Sequence, residues 1–153
     1  MGYRLGAGNP AWIGGELMER LPDWRSRLSE TIEASRRTPF VWGKSDCAIF
    51  AADAIRAITG EDIAAGYRGT YSDAKGALRA LSKACYTDLA DMAVAHLPEI
   101  PPIMAQAGDI VALQAPETGW TLGVVIGERV IGRDLAGLVT IDRAAAERAF
   151  RVG

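Results

Sequence analysis

The stretch Phe40-Val41-Trp42-Gly43-Lys44-Ser45-Asp46-Cys47-Ala48-Ile49-Phe50 decides how this chain is read. Phe50, Ala51, Ala54, Ile55 and Ile58 form a broad apolar face at helical spacing, and Gly60 is suited to end the helix. The spacing predicts a mostly buried helix that starts at Asp46 or Cys47, which puts a thiol in its first turn. A helix N-terminus favours an anion there. Asp46 is expected to cap the helix, because a carboxylate accepts from the free N–H groups of the first turn. A thiol with an ordinary pKa of about 8.5 is only slightly ionised at neutral pH and needs a base before it is a strong nucleophile. The chain has a single histidine, His96. Cys47 is thus open to two readings, an inert half-buried thiol or a nucleophile.

Before this segment, Pro22 sits where a first helical turn tolerates proline, and Trp24, Leu28 and Ile32 recur every fourth residue until Arg36, Arg37, Thr38 and Pro39. After it, Ser72 is a good N-cap for a helix whose Ala74, Ala77, Leu78 and Leu81 share one face. A fourth helix runs from Thr87 to about Leu97 and is closed by Pro98. Beyond the linker Pro98-Glu99-Ile100-Pro101-Pro102 the character changes. Ile110–Leu113, Leu122–Ile126, Arg129–Ile131 and Leu138–Ile141 are short branched runs between Gly, Pro and Asp, and read as antiparallel strands. A short helix at about Ala144–Arg148 and a last strand through Phe150 and Val152 follow. Helices first and a meandering sheet second is an α+β layout.

At 153 residues one domain is expected, large enough to bury a core without disulfides or a metal. Residues 1–20 are glycine-rich and aperiodic, an arm, and the domain is assigned to 21–153. Within the arm, the apolar pair Trp12-Ile13 either packs on its own domain or binds a partner; removal of residues 1–20 is expected to leave the melting temperature within about a few degrees and to abolish assembly with the partner. A net charge of -2, with both signs scattered, provides no basic stripe for nucleic acid. Apolar runs fall far short of the roughly 18 residues that span a bilayer, and no signal peptide is visible. Cys47 and Cys85 read as free thiols. No metal or cofactor is expected.

The segment Phe40-Val41-Trp42-Gly43 followed by Asp46-Cys47 resembles the cysteine motif of the NlpC-type, papain-like cell-wall peptidases. Ala107-Gly108-Asp109-Ile110-Val111 resembles the start of one of their strands. Leu122-Gly123-Val124-Val125-Ile126-Gly127 resembles the strand that carries their histidine. The chain is more similar still to small NlpC-like proteins of unassigned function encoded among phage and prophage tail genes. The shared features are the helix before the motif, the Phe-x-Trp-Gly-x-x-Asp-Cys segment, the stretch from Ala51 to Gly60, and a Tyr-x-x-x-x-Gly-Ala-x-Arg-x-Leu stretch from Tyr71 to Leu81.

The resemblance implies a papain-like α+β fold with Cys47 as a relic nucleophile and Thr121 at the position of the family histidine. Threonine cannot accept and return a proton near neutral pH as imidazole does. The family's third polar residue would fall near Gly132 or Arg133. Trp42 and Trp120 are expected to bracket the cleft, chiefly as packing. The implied role is a non-catalytic tail-tip component, made in the host cytoplasm and assembled with hub and tip proteins. The alternative is a cysteine amidase or endopeptidase acting on peptidoglycan stem peptides through Cys47, which would make the bacterial cell wall a partner.

Overall fold

The computed structural model describes residues 18–116 and 119–153. Four helices come first: α1 (Trp24–Arg36), α2 (Cys47–Thr59), α3 (Ala74–Lys83) and α4 (Leu89–His96). A six-stranded antiparallel sheet follows, built from β1 (Glu99–Ile100), β2 (Ile110–Ala115), β3 (Gly119–Ile126), β4 (Arg129–Asp134), β5 (Gly137–Asp142) and β6 (Arg148–Phe150). The fold is α+β.

The sheet order is β1-β6-β2-β3-β4-β5. Strands β2 to β5 form a meander, and β6 returns to the free side of β2, with Ile110 opposite Phe150. All of Ile110 to Leu113 is buried, because both faces of β2 are covered. On one face Ile110, Ala112, Leu122 and Val124 pack beneath the helices with Phe50, Ile55 and Ile58. On the other, Val111, Leu113, Val125, Val130 and Ala149 pack with Ala105, with Ile100 and Ala146 beside them. The linker predicted before the sheet is thus part of the core. Its two-residue strand β1 escapes a reading by composition because prolines flank it.

Helix α2 is the central element and packs against α1, β3 and β4. Ile49, Phe50, Ala54, Ile55 and Ile58 are each at most 2% exposed. Burying a side chain such as Phe50 contributes about 1.5–3 kcal/mol. Gly60 ends the helix with a left-handed φ of 85°, a conformation glycine adopts without strain.

Two helix starts differ from expectation. The cap of α3 is Asp73 rather than Ser72: its Oδ1 accepts from the Gly76 N–H at 2.7 Å. Helix α4 begins at Leu89 rather than Thr87, because extended Asp88 caps it by accepting from Asp91 N–H at 2.8 Å. The chain at residues 143–145 makes a single 3₁₀ turn in place of a short α-helix.

Arg20, at the end of the expected arm, has its side chain inside the domain. Its guanidinium donates to Val152 O at 2.8 Å, Ala107 O at 2.8 Å and Asp109 Oδ1 at 3.1 Å, and lies 4.3 Å from the centre of the Trp24 ring. Asp109, 3% exposed, also accepts from the backbone of Gln106 and Val152. The Gly-Asp motif before β2 therefore ties together residue 20, the first long strand and the C-terminus. Gly108 has φ 94°, and a Cβ there would lie 2.8 Å from Arg20. Trp12 and Ile13 lie outside the described residues. Among the described residues, no helix is long and apolar enough to cross a membrane.

Candidate functional site

The turn before α2 is built around Asp46, which is 1% exposed. One carboxylate oxygen accepts from Ile49 N–H at 2.9 Å, as the predicted cap requires. The other accepts from Gly43 N–H at 2.7 Å and from the Tyr71 hydroxyl at 2.6 Å. Gly43 has φ 81°, and a Cβ on it would sit 2.3 Å from the carbonyl oxygen of Tyr71. No other residue fits there without moving the loop. Gly43 O in turn accepts from Gly69 N–H at 2.9 Å. The Ser45 hydroxyl closes the turn by donating to Pro39 O and accepting from Val41 N–H.

This network explains the Tyr71-x-x-x-x-Gly76 spacing. A Cβ at Gly76 would be 3.0 Å from both Tyr71 Cβ and Asp73 Oδ1, so glycine lets the start of α3 close onto the tyrosine. Burial, followed by the Asp46 hydrogen bond, pushes the Tyr71 phenol well above its ordinary pKa. It is a neutral donor at physiological pH. The role of Tyr71 leaves no periodic signal in the sequence, because its partner is 25 positions away.

Cys47 is the first residue of α2 and is half-buried. Thr121 and Leu122 line the groove beside it, and the polar groups of Thr121, Leu122 and Ala48 favour the thiolate. The two positions paired by the sequence reading are therefore together in space. Burial pushes the thiol above its ordinary pKa and the Asp46 charge adds to this, while those polar groups pull the other way without overcoming it. The expected gain in acidity from the helix N-terminus is thus outweighed by desolvation, since burial disfavours the thiolate.

Two spaces meet at Cys47. One is an apolar cavity of about 40 Å³ between α2, α3 and α4, whose walls include Leu78, Leu81 and Met92. The other is an open groove of about 710 Å³ with Phe40, Trp42, Leu113, Thr121 and Val139 on its walls. Phe40 and Trp42 meet edge to face, with centroids 5.0 Å apart.

Of the two tryptophans expected as packing beside the cleft, Trp42 is on the groove wall and Trp120 is a packing residue. It is not part of the groove wall; it packs against the core beneath the helices, with the Arg148 guanidinium 5.9 Å from its ring.

Gly132 and Arg133 also reach the groove. Arg133 is 4% exposed and donates to Ser35 O at 2.8 Å and to Thr38 O. It secures the C-terminal end of α1. His96, at the end of α4, is outside the groove wall, and burial pushes its pKa down, which favours the neutral imidazole. Arg68 joins the loop after α2 to the helix, pairing with Asp62 at 2.9 Å and Asp53 at 2.8 Å. Cys47 and Cys85 are free thiols. Among the described residues no group of His, Cys, Asp and Glu could hold a metal ion.

No curated protein matches the chain. A family profile described as a domain of unknown function, DUF6950, matches residues 19–152, nearly the whole of the described chain. The protein belongs to this family of domains of unknown function.

Proposed function

We propose that this domain is a non-catalytic structural component of a phage or prophage tail tip, built on a papain-like scaffold of the NlpC type. The observation that supports it most is the pairing of Cys47 with Thr121. A hydroxyl stands against the sulfur where an acyl-transfer site needs an imidazole, and the thiol is held neutral by burial. The chain's one imidazole, His96, does not reach the groove. What the motif retains is structural: Asp46 and Gly43 hold the turn, and Tyr71 locks it to α3.

The tail assignment rests on the likeness of the Phe40–Cys47 and Tyr71–Leu81 stretches to small tail-encoded proteins. Function then resides on outer surfaces rather than in the groove. The test is mass spectrometry of purified tail particles from the phage or prophage that encodes the chain. The protein is expected in the particles, and a Cys47→Ala variant should be incorporated and support infection like the wild type. Absence from the particles overturns the structural reading. Normal incorporation with lost infectivity would instead favour an amidase acting on peptidoglycan stem peptides through Cys47.

A further inference from the structure

A second recess, of about 350 Å³, lies between the C-terminal end of α1 and the outer side of α2. Its walls carry Lys44, Arg56 and Arg133 against a single carboxylate, Asp53. Asp53 is engaged by Arg68 at 2.8 Å. Lys44 has no carboxylate within ion-pair distance among the described residues, and Arg56 reaches Asp62 only at 3.8 Å while 61% exposed.

Arg133 is the unusual member. Its guanidinium is met only by the neutral carbonyls of Ser35 and Thr38, and its Nε is buried with no hydrogen-bond partner among the described residues. A buried charge without a countercharge is costly, and an anion in the adjoining recess would supply one. The two carbonyls that would otherwise repel an anion at this helix end are already occupied by Arg133.

We infer that the recess is a binding site for a phosphate-type oxyanion, free or carried as a phosphate monoester, held by Lys44 and Arg56 over the buried charge of Arg133. Lysine supplies a point charge and arginine a planar fork suited to phosphate oxygens. The site is separate from the Cys47 groove, and Arg133 stands in the wall between the two.

The experiment is thermal unfolding of the full chain in inorganic phosphate against chloride at matched ionic strength, with glycerol phosphate as a third arm. A saturable rise in Tm with either phosphate is expected and none with chloride. A larger response to the monoester assigns the site to an organic phosphate; an equal response assigns it to the free ion. The double variant Lys44→Ala, Arg56→Ala changes only exposed or half-exposed cations and should unfold as the wild type does in chloride. Its apparent Kd for phosphate should be at least about tenfold weaker, the scale of one to two charge-assisted hydrogen bonds. Equal stabilisation by chloride and phosphate, or an unchanged phosphate response in the double variant, overturns the assignment.

Discussion

Replacing Asp46 by alanine should be among the most damaging single changes in this domain. The carboxylate is 1% exposed and satisfies three donors: Ile49 N–H, Gly43 N–H and the Tyr71 hydroxyl. Loss of a helix cap costs about 1 kcal/mol. Each further buried donor left without a partner costs about 1–3 kcal/mol. The adjoining cavity, about 40 Å³, touches Asp46 and has room for a water that could recover part of the loss. The net expectation is about 4 kcal/mol, a large share of a typical total of about 5–15 kcal/mol. For a chain of this size that lowers Tm by about 8–16 °C.

Urea unfolding followed by circular dichroism measures the change, provided the slope with denaturant stays constant. Tyr71→Phe removes one donor and should cost about 1.5–3 kcal/mol on its own. In the Asp46→Ala background it should cost far less, because the hydroxyl is already orphaned there. A cost below about 1 kcal/mol for Asp46→Ala, or simple additivity of the pair, would refute the idea that this carboxylate holds the turn.

Three further outcomes are expected. Stability should fall at alkaline pH: burial first, with the Asp46 charge, raises the Cys47 thiol above its ordinary value, and burial with the Asp46 hydrogen bond raises the Tyr71 phenol above its own. Each contributes stability that is present below its ordinary value and lost as pH rises toward its folded one, so Cys47→Ala and Tyr71→Phe should flatten the decline seen in pH-dependent urea titrations. Thr121→His should place an imidazole against Cys47, and the alkylation rate of that thiol at neutral pH should rise at least about tenfold over wild type; no increase would mean that the groove does not hold the two side chains in hydrogen-bond reach. Arg20→Ala and deletion of residues 1–20 should each cost about 2 kcal/mol, the scale of hydrogen bonds involving a charged group, and a deletion that unfolds the chain outright would place more of the arm in the core.

The helices were legible because Leu28, Ile32, Ile55 and Ile58 repeat at helical spacing, and their burial fixes which face turns inward. Cys47 at the start of α2 and Asp46 as its cap follow from local chemistry that a sequence displays directly. The choice between Ser72 and Asp73 was not legible, since neighbouring residues of equal capping ability differ only in the backbone angles the tertiary fold imposes. β1 was hidden because its pairing with β6 joins residues about 50 positions apart, and a two-residue strand has no pattern of its own. The same distance hid Arg20 and Arg133, two charged residues of ordinary sequence context whose roles depend on carbonyls brought to them by folding.

The central claim is that Cys47 has no partner able to make it a nucleophile. Purified full-length protein should be incubated with peptidoglycan fragments bearing stem peptides, and newly released amine termini quantified against the Cys47→Ala variant. No release above that variant is the result predicted by a neutral thiol facing Thr121. Release that disappears with Cys47→Ala would contradict it.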